Sequence, residues 1–533
     1  MTIIKRLTFS AFLAFLILPL FAANPASAQS LAFKQAVAEA SASDRDIAAF
    51  YKENGFQPIW TSASRADRLR RQALLDALSN ASAHGLPVAS YRADEISGLM
   101  RSARSDRQLG ALEVTLSRIF LDYARDIQTG ILVPSRVDDG LVREVPLRPR
   151  KATLAAFSKS SAKGFLNALP PKSAEYARLM KEKMRFERIV GRGGWGAEVV
   201  ATSLKPGESN NSVLQLRNRL IAMGYLDRTP TSTYDNAIIS AVKAFQVDHG
   251  LNDDGVVGPR TMEEINTSAA TRLSQIVVAM ERERWINMPL GKRHIWVNLT
   301  DFHARIVDDG KVTFQTRSVV GANDPERRTP EFSDVMDHMV INPTWNVPRS
   351  IATKEYLPLL KENPFAVSNL DIINVRGQIV SRAEMDFSGY DETNFPYDLK
   401  EPPSRGNALG LVKFMFPNRY NIYLHDTPAK SLFGREKRAF SHGCIRLKDP
   451  FDFAYTLLAK QERNPEGFFQ STLATRKETV VSLREPVQVH LVYRTAFTKA
   501  KGNIQFRGDV YGRDGKIWRA LNNAGVVLTA QRG

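Results

Sequence analysis

Ile295-Trp296-Val297-Asn298-Leu299, then Ala304-Arg305-Ile306-Val307, then Asp308-Asp309-Gly310, then Val312 through Val320: here the apolar residues leave helical spacing and begin to alternate. Two alternating runs about an Asp-Asp-Gly turn predict a β-hairpin. Met339-Val340-Ile341 and Asn421 to Leu424 are further strand candidates, and Val487 to Val492 and Gly502 to Phe506 return to strand in the tail. The pattern predicts a β-rich domain over 278–480, with 481–533 as its C-terminal β extension. Residues 349–406 interrupt it. They read as helical from Ile351 to Lys361, then polar and turn-rich through Pro402-Pro403. An insertion of this kind is expected to cover a site on the sheet.

Upstream the period is helical. Leu74 to Ser82, Leu109 to Gln128 and Ala174 to Ile189 carry apolar residues three and four apart, which predicts a helical domain over 29–195. Gly191 to Gly196 breaks that pattern, and 196–210, with Pro206-Gly207 and Asn210-Asn211, reads as a linker. A compact three-helix unit follows over 211–268, its first helix ended by Gly224 and its second by His249-Gly250. The acidic turn Asp253 to Gly258 lacks the alternating ligands and closing glutamate of a calcium loop. The chain is therefore expected to be multidomain α+β.

Residues 1–28 read as a signal peptide: basic Lys5 and Arg6, an apolar stretch, then the cleavage site Ala26-Ser27-Ala28. An uncleaved membrane anchor is the alternative; the short apolar stretch, with Thr8 and Ser10 inside it, favours removal. The formal charge is +17. On an exported protein without a basic low-complexity arm, this suits an anionic envelope polymer or membrane surface, with a generally basic soluble surface as the plain alternative, and no nucleic-acid partner is expected. One cysteine in 533 residues excludes an intramolecular disulfide, so an exported lone thiol is a candidate reactive group.

That thiol, Cys444, lies in Ser441-His442-Gly443-Cys444-Ile445-Arg446, downstream of Tyr423-Leu424-His425-Asp426-Thr427-Pro428. A thiol with imidazoles nearby is the kit for an activated sulfur nucleophile. On an extended segment His442, Cys444 and Arg446 share a face, which puts the His442 ring beside the sulfur and a fixed cation further along. Gly443 permits close approach of the backbone, and the N–H groups of Gly443 and Cys444 are candidates to stabilise an oxyanion. Asp426 neighbours His425 and so points to the other face, making a backbone carbonyl the better orienting partner for that ring. A papain-like arrangement fails because only His490 follows the cysteine, and no CxxC or HExxH pattern suggests a metal. Neither metal nor cofactor is expected.

The two motifs resemble the signature of the YkuD-type L,D-transpeptidases, bacterial enzymes that cross-link peptidoglycan. Phe50-Tyr51-Lys52 through Trp60 and Asp126 to Gly130 are similar to the helical scaffold domain of that family's large multidomain subgroup. Ala241 to Gln246 and Asp254 to Pro259 are similar to a peptidoglycan-binding module. Asn342 to Pro348 and Asn407 to Asn418 bracket the subgroup's capping insertion. The resemblance implies a β-rich catalytic domain in which Cys444 is the nucleophile, His425 moves the proton and His442 assists. Ser441, Gly443 and Arg446 would shape the oxyanion site and pocket, with Tyr423, Trp345 and Asn346 near the substrate. It implies 3→3 diaminopimelate cross-linking through a cysteine thioester, with tetrapeptide stems as donor and acceptor, in the periplasm of a Gram-negative bacterium. It also implies acylation of Cys444 by carbapenems. An L,D-carboxypeptidase, a protein-to-peptidoglycan ligase and a non-catalytic wall-binding scaffold remain the other readings.

Overall fold

The structure, a computed structural model, describes residues 30–528. The predicted signal peptide lies outside the described residues, as do the last five residues of the predicted C-terminal extension. No helix of the described residues is long and apolar enough to cross a membrane.

The β-rich region is built on β1 (Arg293–Asn298), β2 (His303–Asp308), β3 (Lys311–Gly321) and β4 (Phe332–Ile341). β5 (Trp345–Asn346), which lies just before the insertion, forms a separate small sheet with β6 (Asp371–Ile373) and β7 (Asp398–Glu401) of the insertion. β8 (Val412–Met415), β9 (Leu424–His425), β10 (Ala439–Ser441), β11 (Ile445–Leu447) and β12 (Thr479–Val492) return to the main sheet. Its nine strands run β10-β3-β11-β9-β8-β4-β12-β1-β2, and β2 also pairs with β3, so the sheet closes on itself. The predicted hairpin is β2–β3. Asp308 pairs with Lys311, and the two loop residues, Asp309 and Gly310, both have positive φ, the geometry that suits the twist of flanking strands. Ile295, Val297, Ile306, Met339 and Leu491 fill the interior as the alternation requires.

The N-terminal region is helical, as the periodicity predicts. Its longest helix, Asp106–Thr129, starts with Ser105 and Gln108 in reciprocal capping contact. Within it Glu113 is fully buried, which would cost several kcal/mol if its carboxylate were unmatched. It accepts instead from the backbone of Ile59, Trp60 and Thr61 and from the hydroxyls of Tyr51 and Thr61, so one carboxylate pins the loop to the bundle.

The three-helix unit comprises Asn211–Met223, Asn236–His249 and Pro259–Asn266. The predicted linker is not a free tether. Val199 and Leu204 are buried in this unit's core, and Leu204 bridges to Val257.

Two further differences concern the tail and a junction. The tail is not a β extension. β12 is an interior strand of the sheet, lying between β4 and β1, and after the short pair β13 (Ala496–Phe497) and β14 (Gln505–Phe506) the chain ends in helix Arg513–Asn523. Helix Ala269–Trp285 spans the junction left open between 268 and 278. Its run Glu281-Arg282-Glu283-Arg284 looks like a solvated face but is buried. Arg282 pairs with Glu331 and Asp514, and Arg284 with Glu281. This helix packs between Ala174–Gly191 and Arg513–Asn523 and ties the helical region to the sheet.

Candidate active site

β9 and β11 lie parallel, with Leu424 beside Ile445 and His425 beside Arg446. Residues two apart on a strand share a face, so Tyr423, His425, Cys444 and Arg446 all look into one cleft of about 680 Å³. The intervening Leu424, Ser441, Gly443, Ile445 and Leu447 are buried. Lys413 on β8 stands opposite His425, so a single row across three strands reads Lys413, His425, Arg446. Trp345 and Asn346 line the same cleft from the edge of the insertion. A cavity of about 490 Å³ among the N-terminal helices is lined by His84 and Lys163 and by no cysteine, serine or threonine.

The Ser441–Arg446 run is not one extended segment. β10 pairs parallel with β3 and β11 antiparallel with it, so the chain must reverse between them. Residues 442–444 make that bend, and Gly443 has φ +111°, a conformation that L side chains rarely adopt. Two expectations change as a result. The Gly443 N–H donates to Ser441 Oγ at 3.2 Å, and Ser441 Oγ in turn donates to the Cys444 carbonyl, so the Gly443 donor is used inside the bend. Of the two N–H groups expected at the oxyanion position, that leaves Cys444. The strand reading also put the His442 ring beside the sulfur; its hydrogen bond runs instead to Glu355 of the insertion, at 2.7 Å.

Thr329 holds the bend from behind. It is fully buried, accepts from the Gly321 N–H at 2.9 Å and donates to the Gly443 carbonyl at 2.6 Å. Its own carbonyl accepts from Arg513 at 3.1 Å, and Arg513 is paired with Asp138 and Glu331. Thr329→Val leaves two buried backbone groups without partners. It is expected to cost about 1–3 kcal/mol in thermal or denaturant unfolding and to slow modification of Cys444, with Thr329→Ser restoring both. A valine variant as stable and as reactive as the parent would remove Thr329 from this role.

The electrostatics of the nucleophile run against a resting ion pair. Burial pushes the Cys444 thiol up to about 11, only partly offset by contacts with Tyr423 and by the charge of Arg446. The thiol donates to the Asn421 carbonyl at 3.4 Å. Burial, with Arg446 and Lys413 adding to it, drives His425 down to about 3; the nearby carbonyls of Asp426 and Leu409 favour the protonated form but are outweighed. Both groups are neutral at neutral pH. The Asp426 side chain takes no part, as the alternation predicts. Its carboxylate accepts from the Leu411 N–H and pairs with Lys430. The Tyr423 ring meets His425 edge-on at 5.6 Å.

The insertion reaches the cleft through Arg349–Glu362, helical throughout, with a π turn at Ala352–Tyr356. Glu355 in that turn accepts from Arg327 at 2.7 Å as well as meeting His442, and Lys354 pairs with Glu326. Glu355→Ala removes two of these contacts. For partly exposed pairs this is expected to raise alkylation of Cys444 by iodoacetamide about two- to fivefold; an unchanged rate would show that Glu355 does not restrain the insertion. Lys413, Thr329 and Glu355 were not among the site residues read from the sequence. Lys413 could have been found from its strand alternation with Phe414, and the other two carry no local signal.

Comparison with known proteins places these elements. Residues 292–481 match YkuD, described as "L,D-transpeptidase catalytic domain". Residues 45–182 match "Scaffold domain", and residues 209–265 match "Putative peptidoglycan binding domain". A Haemophilus influenzae protein named "Putative L,D-transpeptidase" is 33% identical over 265 residues, which are 49% of this chain and 53% of that protein. The chain thus spans about half the length of that relative. Two solved structures share 16% and 13% identity, each with a TM-score of 0.16: an L,D-transpeptidase from Xylanimonas cellulosilytica, and a fused Zn-dependent amidase/peptidase/peptidoglycan-binding domain-containing protein from Clostridium acetobutylicum. They cover 55% and 54% of this chain, and 98% of each of those chains is covered.

Proposed function

We propose, for a chain that belongs through residues 292–481 to the YkuD L,D-transpeptidases and also carries a Scaffold domain and a peptidoglycan-binding domain, that it cross-links peptidoglycan through a thioester on Cys444. The observation that carries this reading is that the lone thiol of Cys444, at the end of the bend that leads into β11, and the imidazole of His425, on the adjoining β9, line one cleft. Cys444 Sγ attacks the carbonyl at the L-centre of diaminopimelate in a tetrapeptide stem while the His425 imidazole takes the thiol proton. The Cys444 N–H supports the oxyanion. As the C–N bond breaks, His425 returns the proton to the departing D-alanine amine, leaving a thioester. The side-chain amine of a second diaminopimelate gives its proton to His425 and attacks the thioester. This forms the 3→3 amide and releases the thiol.

A second cleft of about 460 Å³ meets the first at His442 and reaches Asp138 and Lys516. Two openings on one bend suit separate donor and acceptor strands, which favours an amine acceptor over water. The predicted export signal would place the reaction outside the cytoplasm, in the periplasm, where thioester exchange needs no energy cofactor.

Incubation with purified tetrapeptide muropeptides, read by mass spectrometry, tests this reading. Cross-linked dimers are expected. Tripeptide monomers alone would make the chain a carboxypeptidase, a stem joined to a protein amine would make it a ligase, and no product would leave a wall-binding scaffold.

A further inference from the structure

The row Lys413, His425, Arg446 places a cationic side chain on each side of the imidazole. Neither cation has an acidic partner. Among the described residues neither Lys413 nor Arg446 makes an ion pair, and Arg446 Nε is buried with no hydrogen-bond partner. The carboxylate acting on Lys413 from a distance is Glu478, which is occupied by the Thr344 N–H. Both acidic residues lining the cleft are already paired, Glu326 with Lys354 and Glu355 with Arg327 and His442. Once those pairs are set aside, the cleft holds two uncompensated positive charges and no negative one. Burying cations in this way is costly unless a counter-charge arrives. What the site lacks is an anion, and the fork of Arg446 beside the point charge of Lys413 suits a carboxylate.

We propose that Lys413 and Arg446 form a carboxylate subsite that grips the free C-terminal carboxylate of the acyl donor, on the residue that leaves. The inference rests on the reading of Cys444 as the acyl-accepting nucleophile. Cys444 closes the bend just before β11 and Arg446 is the second residue of that strand, so the two backbones are at most about 7 Å apart. One donor residue beyond the scissile carbonyl spans about 3.5 Å, and the cationic side chains reach back over the rest. A donor extended by another residue carries its carboxylate past the row, and a donor ending in an amide has none. The subsite therefore selects stems that end one residue after the bond to be broken.

The test is a cycle between protein and substrate. A tetrapeptide donor with a free terminal carboxylate and the same donor ending in a carboxamide are each given to the full chain, to Lys413→Met and to Lys413→Arg. The rate of acyl-enzyme formation is read by intact-mass spectrometry. The parent is expected to favour the carboxylate about ten- to a hundredfold, the range for a hydrogen bond to a charged group. Lys413→Met is expected to shrink that ratio at least fivefold, and Lys413→Arg to restore most of it. Because the ratio is internal to each preparation, partial misfolding or a shifted His425 cancels. If Lys413→Met does not fold, Lys413→Gln is read in the same way. An undiminished ratio in the neutral variant overturns the subsite. Absence of any acyl-enzyme from the folded parent overturns instead the reading of Cys444 on which it rests.

Discussion

A Cys444→Ala variant gains no mass on incubation with tetrapeptide muropeptides or with a carbapenem, and yields no cross-linked dimer. The sequence contains one cysteine, so no neighbouring thiol can stand in. The loss is expected to exceed about 10³-fold, because the covalent step has no other nucleophile. The fold should tolerate the change. The residue is partly exposed, the thiol's hydrogen bond to the Asn421 carbonyl is long, and alanine keeps the backbone carbonyl that Ser441 Oγ holds. Unfolding within about 1 kcal/mol of the parent would separate lost chemistry from lost structure. Dimer formation by the folded variant would end the thioester mechanism.

His425→Ala is expected to slow acylation by about 10²–10⁴-fold, and the pH dependence of the parent says why. A thiol at about 11 and an imidazole at about 3 are both neutral between those values. The imidazole is therefore an available base at neutral pH, and the proton leaves the sulfur as attack proceeds. The sign follows directly. Raising the pH from 5 to 9 neither protonates His425 nor ionises Cys444, so the rate of carbapenem acylation should stay flat across that range. It should fall only as the pH drops toward about 3 and His425 gains its proton. A pre-formed thiolate–imidazolium pair would instead lose activity as the imidazolium gave up its proton at some higher pH. A rate limb with a midpoint near 6 or 7 in the parent, absent from His425→Ala, would replace the neutral pair with an ionic one.

Much of this arrangement is legible in the sequence because it is local. The β2–β3 hairpin follows from two alternating runs about Asp309-Gly310, and the exclusion of Asp426 follows from strand parity alone. What escapes is non-local. The charged row needs the register of β8, β9 and β11, three segments spread between Lys413 and Arg446, and no spacing announces it. Glu355 reads as one more charge on a helix, yet its π turn faces the cleft. The strand reading of Ser441 to Arg446 missed the reversal around β3, and with it the loss of the Gly443 donor and the turn of His442 toward Glu355. Buried charges escape for the same reason: Arg282 and Arg513 are buried with acidic partners that lie far along the chain.

Arg513 gives the tail a reach beyond its own helix. The recognised catalytic segment ends at residue 481, inside β12, so the part of that strand that pairs with β1 lies past the boundary. So does Arg513, which joins Asp138 of the helical region to Thr329 and, through it, to the bend that carries the nucleophile. The proposed site is thus not housed in a cassette that can be cut out and moved. Deleting the chain beyond β12 would spare Cys444, His425 and Arg446 and still remove the Arg513 contact to Thr329, which holds the backbone on which Cys444 is mounted.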